Sequence, residues 1–316
     1  MGRVSSDGVP MSSTPTASTL ERTRPRYGEQ IIKGVLVLAA AVSIATTFGI
    51  VVSLLVPTVE FFSHVPILDF LLGTEWTPLF AEGKFGVLPL VSGTLVITGI
   101  AVLVAIPLGL GAAVYLSEYA SDRSRRILKP TLEVLAGIPT VVFGFFALEF
   151  VTDVLLRRIF PGIEVFNALS AGLVMGIMII PMVASLSEDA MAAVPAGLRD
   201  GSYALGASKR QTSVKVVIPA ALSGIIAAFV LGISRAIGET MIVTIAAGLE
   251  PRLIPNPLQG MQTMTSYIAA AGSGDLPTGS IEYQSIFAVG FLLFLITLVM
   301  NIGSIRLVRR YRQAYQ

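Results

Sequence analysis

Two ionisable residues stand in an otherwise apolar run, Arg235 and Glu239 in ISRAIGETMIVT. Spaced i, i+4, they would share one face of a helix and pair, although the acidic residue follows its partner, the less favourable order. Arg235 lies 15 residues beyond Ala220, where the apolar run begins, or about 22 Å along a helix. That is deep in a hydrocarbon layer about 30 Å thick, where an unpaired charge costs at least about 2.5–3.5 kcal/mol. Each group should therefore face a partner or an aqueous path. In one reading the pair neutralises itself and fixes helix packing. In the other the guanidinium, a planar fork of donors suited to an oxyanion, meets a passing anion while Glu239 holds or releases it.

A second polar constellation precedes that run. From Glu188 to Pro219 the chain is polar, basic and helix-prone. After Pro195, Leu198, Tyr203, Ala204, Leu205, Val214 and Val216 to Ile218 alternate with polar residues, and Gly206 falls between two short helical pieces. This predicts two short amphipathic helices joined by a glycine turn, a compact knob at about 195–219. The alternative is an ordinary solvated loop.

Other candidates carry less. Glu149 and Asp153 are spaced i, i+4 near the end of an apolar run, which suits interfacial solvation. Ser92, Thr94 and Thr98 would line a path only if they did not bond their own backbone, the common fate of hydroxyls in membrane helices. The single histidine, His64, has no second ligand nearby, and the chain has no cysteine, so no metal site, disulfide or thiolate nucleophile is expected. No Gly-x-x-x-x-Gly-Lys-Ser/Thr run is present, so this chain supplies no ATPase of that type. No nucleophile and base pair is visible along the apolar runs, which disfavours an intramembrane enzyme.

The elements that must position these residues are membrane helices. Of the 316 residues 53% are hydrophobic and only 13% charged, with a net charge of +2, about half the charged fraction of a soluble domain. Six apolar runs are long enough to cross a bilayer: 31–56, 88–116, 132–156, 168–187, 220–247 and 285–305. Helices follow because a backbone in lipid must satisfy its own hydrogen bonds and no period-2 alternation is seen. The first run is too long for a signal-peptide core and should remain as a span. Gly137-Ile138-Pro139 and Pro181 mark expected kinks or breaks.

Residues 1–30, rich in Ser, Thr and Pro and then basic, are expected to form a disordered tail, and 31–316 one six-helix domain. Residues 57–87 read as a loop, with part of it and Trp76 at the interface; 249–284 read as a second long loop, and Arg123 to Lys129 as a short basic turn. Six spans put both termini on one side. That side collects 17 of the 22 Lys and Arg, the opposite side four, and Arg235 lies between. The asymmetry places both termini and the knob in the cytoplasm.

The knob resembles the EAA loop of binding-protein-dependent ABC importer permeases, which reads Glu-Ala-Ala, three residues, Gly, nine residues, Ile-x-Leu-Pro. Here that register is Asp200-Gly201-Ser202, Gly206, then Val216-Val217-Ile218-Pro219. The spacing fits throughout and the opening triplet is substituted at all three positions. The runs LVSGTLVITGIAVLVAIPLGLGAAVYLSEYA, RRILKPTLEVLAGIPTVVFGFFAL and RAIGETMIVT resemble the phosphate importer permease of the PstC type. The continuation Glu239 to Thr244 favours that subunit over its sister, which has Ala-Pro after Glu-Thr.

The resemblance implies an all-α polytopic fold like that of type I ABC importer permeases, in the cell membrane and itself non-catalytic. It implies an ATPase dimer binding ATP and Mg and docked on Asp200, Gly201, Ser202, Gly206 and Pro219. A second six-helix permease and an extracytoplasmic phosphate-binding protein complete the assembly, with membrane lipid around it and no nucleic acid. It implies a solute path past Arg235, Glu239 and Thr240. Permeation of sulfate or molybdate, or proton-coupled secondary transport through Glu239, are the alternatives.

Overall fold

The computed structural model describes residues 27–80 and 83–311. Most of the expected tail, with Arg3, Arg22, Arg24 and Arg26, lies outside the described residues, as does Arg312. Tyr27 to Gln30, expected in the tail, already form the first turn of α1.

Among the described residues thirteen helices follow in order: α1 Tyr27–His64, α2 Ile67–Leu72, α3 Leu88–Val114, α4 Asp122–Ala136, α5 Thr140–Phe145, α6 Arg157–Ile159, α7 Ala168–Ala192, α8 Ala196–Ala204, α9 Lys209–Thr212, α10 Ile218–Ala220, α11 Leu222–Ile237, α12 Met264–Gly272 and α13 Ile281–Tyr311. Wide π-helical turns at Tyr115–Tyr119, Phe146–Leu156, Ser213–Val217 and Val243–Ala247 extend or join several of them. Among the described residues the only strand-like pairing is the antiparallel bridge of Trp76 and Phe85.

Among the described residues four helices are long and apolar enough to cross a membrane, and up to six spans result if each of two bent pairs counts as one. The chain divides into two packing units at Ile50 and Val51. The described part of the first is the leading stretch of α1.

The second unit is built on α7, which packs against α3, α4, α5 and α11. Small residues let these helices approach, as membrane helices require. A Cβ placed on Gly172 would lie 2.7 Å from Cβ of Ile100, and one on Gly176 would lie 2.8 Å from Cβ of Val104. Gly109 of α3 and Gly232 of α11 likewise abut Val183. Side chains from α3, α7 and the 243–247 turn fill the middle of the bundle, among them Ile97, Ala101, Met175, Ile179 and Val243.

One end of the bundle is closed by Phe61, Phe70, Trp76, Leu90, Met264 and Tyr267. Phe61 meets Phe62, Phe70 and Phe85 edge to face, and Trp76 meets Tyr267 at 4.8 Å between ring centres. The other end is closed by Ala113, Met191, Val194, Val217 and Ile225.

Several boundaries differ from the sequence expectation. Residues 57–87 are not merely loop: α1 continues past Pro57 to His64 and α2 follows. Trp76 is buried at 2% exposure, held in the aromatic cluster. The basic turn is helical, since Ser121 caps α4 by accepting the amide of Ser124. Within 249–284 lies α12, whose Met264 and Tyr267 are buried. The break at Gly137-Ile138-Pro139 is present, with α4 and the 140–159 helix bent by 86°. At Pro181, by contrast, α7 stays helical.

Candidate functional site

The expected continuous span 220–247 is broken where the charges lie. α11 ends at Ile237, Gly238 and Glu239 close its last turn on the carbonyls of Ser234 and Ala236, and the backbone becomes helical again at Met241. The i, i+4 face shared by Arg235 and Glu239 therefore does not form, and they make no mutual bond. Arg235 sits exposed in the last turn of α11 with no hydrogen bond or ion pair to any described residue.

Glu239 is 7% exposed, and its Oε1 accepts the amides of Met241 at 3.2 Å and Ile242 at 3.4 Å. Each charge occupies the helix end that favours it: the cation beside the terminal carbonyls of α11, the carboxylate on the first amides of the next segment. Thr240, half-buried, turns its hydroxyl to the carbonyl of Gly238 at 3.3 Å. Thr265 donates to the carbonyl of Glu239 at 2.7 Å, so α12 fixes the break from the other side. Thr94, Thr98, Met175, Thr263 and Thr265 wall the carboxylate in.

What the arrangement can do is present a guanidinium on an open face of the chain while the acid stays inside. Anchoring a discontinuous helix in this way is how membrane proteins place irregular backbone without exposing it to lipid.

The knob forms as the sequence predicts. α8 and α9 are joined through Gly206 at φ 82°, a left-handed conformation that glycine adopts without strain. Ser208 and Gln211 cap α9 reciprocally, and the hydroxyls of Ser202 and Thr212 tie the two helices at 2.9 Å. Asp200 and Gly201 are exposed on α8, and Leu205 at the tip is 91% exposed. Pro219 lies in α10, at the turn where the 209–220 stretch bends by 71° into α11.

Sequence reasoning missed the ion pairs at this end of the bundle, of which the last, Arg199 with Glu118, seats the knob. Glu188 on α7, its side chain 1% exposed, accepts from Arg125 and, at 2.7 Å, from Lys129 of α4. Lys129 also reaches Asp189 at 2.9 Å. Arg199 of α8 binds Glu118 at 3.0 Å. These partners are 59 to 81 residues apart, so only an amphipathic reading of α4 would have hinted at them.

The remaining candidates resolve simply. Asp153 pairs with Arg157 at 2.8 Å. Thr94 donates to its own helix at Leu90 while accepting the amide of Met264, whereas Ser92 reaches the carbonyl of Leu253. His64 stays with Ser63 and Glu60, and no group of His, Asp and Glu able to hold a metal exists among the described residues. At the opposite end of the bundle from the knob, Arg252 binds Glu250 and Glu164, and the Glu250 carboxylate raises its pKa above the ordinary arginine value.

Residues 105–313 match the family described as binding-protein-dependent transport system inner membrane component. The chain is 36% identical over 273 residues to the probable ABC transporter permease protein YqgH of Bacillus subtilis, covering 85% of this chain and 86% of that one. It is 32% identical over 263 residues to the phosphate transport system permease protein PstC of Haemophilus influenzae, covering 78% and 82%. Its fold matches a chain of the bacterial alginate ABC transporter, solved in complex with an alginate pentasaccharide-bound periplasmic protein. That match has a TM-score of 0.62 at 15% identity and covers 90% of this chain and 98% of the other. The broken spans, the seated knob and these matches place the chain in the family of binding-protein-dependent transport system inner membrane components, multi-pass permeases of ABC importers.

Proposed function

We propose that this chain forms half of the translocation path of an ATP-driven phosphate importer. The observation that carries the reading is Arg235: a cation deep in a broken membrane helix, exposed and without a partner among the described residues. Such a group needs an anion or an anionic neighbour to offset its desolvation, and its donor fork fits phosphate oxygens. The phosphate permeases among its relatives favour that anion over sulfate or molybdate.

The partners follow from the same reading. A second six-helix permease covers the open face of α11. An ATPase dimer binds ATP and Mg and docks on the knob at Asp200, Gly201, Ser202 and Gly206, with Pro219 at its root. An extracytoplasmic binding protein delivers phosphate. ATP hydrolysis belongs to the partner, and the knob and both termini are cytoplasmic, as the distribution of Lys and Arg requires. Glu239 orders the break and Thr240 stands beside the path. A proton-coupled carrier built on Glu239 is disfavoured because that carboxylate is buried and committed to two backbone amides.

Phosphate uptake in cells lacking other phosphate importers tests this. Arg235→Ala should reduce uptake at least tenfold with the complex still assembled, and Arg235→Lys should rescue only part. Undiminished uptake in Arg235→Ala would overturn the path assignment. Uptake by the purified chain without an ATPase would overturn the importer reading.

A further inference from the structure

We propose that the last turn of α3 clamps the coupling knob and carries its motion into the bundle, with Arg199 and Glu118 as the positioning residues. The proposal rests on the reading of α8 and α9 as the ATPase-docking element.

Three elements meet on one guanidinium. Nε and Nη2 of Arg199 donate to Oε1 of Glu118 at 3.3 and 3.0 Å, Nη1 donates to the carbonyl of Val194 at 2.7 Å, and Nη2 to that of Met191 at 2.8 Å. Met191 and Val194 stand at the C-terminal end of α7, where carbonyls lack helical partners and a cation is favoured. Arg199, carried on α8, thus caps α7 and fixes α8 to α3. The bridge is shielded, with Glu118 4% and Arg199 20% exposed, so solvent screens it less than a surface pair.

The second helix of the knob is held at the neighbouring residue, because Nζ of Lys209 lies 5.2 Å from the ring centre of Tyr119. The wide turn Tyr115–Tyr119 closes with the amide of Ala120 on the carbonyl of Tyr115, and it buries Glu118 while leaving Tyr119 on the surface. From this turn α3 runs along α7 on the glycine seam to Thr94, whose hydroxyl accepts the amide of Met264 in α12. α12 in turn fixes Glu239 through Thr265. Motion imposed on the knob therefore has a packed route to the helix break, of the rigid-body kind by which interfaces transmit change.

The experiment uses the whole complex in liposomes with its binding protein, measuring ATP hydrolysed and inorganic phosphate taken up. Glu118→Gln, which keeps the shape and removes the charge, should retain the ATPase on purification yet move at least fivefold less phosphate per ATP. Arg199→Glu alone should do the same. Glu118→Asp, which keeps the charge and leaves the Arg199 bonds to the α7 carbonyls in place, should bring the ratio back to at least half of the native value.

A second readout does not depend on the substrate. The chain has no cysteine, so spin labels at Tyr115→Cys and Ala204→Cys report the separation of α3 and α8. That distance should stay constant between nucleotide-free and ATP-bound complexes and change between them in Glu118→Gln. An unchanged transport ratio with an unchanged label distance in Glu118→Gln would overturn the clamp, as would loss of the ATPase from that variant. If the native complex moved no phosphate, the substrate reading would fall while the label distances still decided the clamp.

Discussion

Replacing Gly176 by alanine should destabilise the bundle, whereas the same change at Gly99 should not. A Cβ on Gly176 would stand 2.8 Å from Cβ of Val104 and 2.9 Å from the carbonyl oxygen of Ala101, well inside the ~3.5–4.0 Å optimum between carbon atoms. One obstacle is backbone, so the strain is relieved only by separating α3 from α7. Overpacking of this kind costs about 1–3 kcal/mol. At Gly99, on α3, nothing lies within 4 Å of the added Cβ.

Both substitutions gain about the same helix propensity, near 1 kcal/mol. Their difference therefore isolates the steric contribution of about 1–3 kcal/mol. Unfolding in mixed micelles with rising dodecyl sulfate measures it, and the single tryptophan, Trp76, buried at 2% exposure, is the fluorescent reporter. Equal stability of the Gly176→Ala and Gly99→Ala variants would refute the close-packed seam and the view that α3 and α7 move as one body.

Three further outcomes follow from particular contacts. Glu188→Ala should cost about 1–3 kcal/mol in the same unfolding measurement, below the ~3–5 kcal/mol of a fully buried pair, because Arg125 and Lys129 remain 42% and 32% exposed; a change under about 0.5 kcal/mol would contradict the bridge. Gly206→Val forces a branched residue to φ 82°, a penalty of about 1–2 kcal/mol, and should open the knob to protease, while Gly201→Ala, with open space around it, should leave the digestion rate unchanged. Phe61→Ala removes a fully buried ring that meets three others edge to face and should cost about 3–5 kcal/mol, read as a lower dodecyl sulfate midpoint.

Local signals read well in this sequence and distant ones did not. The knob was legible because what shapes it is local: Pro195 before the first helix, Gly206 at the turn, and apolar residues alternating with polar ones on either side. The bend at Gly137-Ile138-Pro139 was legible for the same reason. α12 was not, since nine residues of mixed polarity enter a core only because α3 and α13 leave room for them. Glu118 and Glu188 stand just past the ends of the apolar runs 88–116 and 168–187, where nothing in the sequence marks them for burial. Their burial is created by Arg199, Arg125 and Lys129, partners that only the fold brings near. Pro181 sits in a helix that stays unbroken, because the neighbours of α7 hold it on most sides.

The break after Ile237 also changes what the charged segment means. In an unbroken helix Arg235 and Glu239 would neutralise one another, and an anion approaching the guanidinium would have to displace its own carboxylate. With the helix interrupted, Glu239 is satisfied by the amides of Met241 and Ile242, and among the described residues Arg235 receives only the weak field of the α11 carbonyls. That field, worth roughly 0.3–1 kcal/mol, is too small to offset the several kcal/mol of holding a cation at membrane depth. Among the described residues most of the electrostatic demand of the guanidinium is unmet, which is why the proposed function gives it a transient anion instead of a structural pair. On that proposal the Thr265 bond to the Glu239 carbonyl is what keeps Arg235 available, because a break allowed to re-form as helix would return the acid to the face of Arg235.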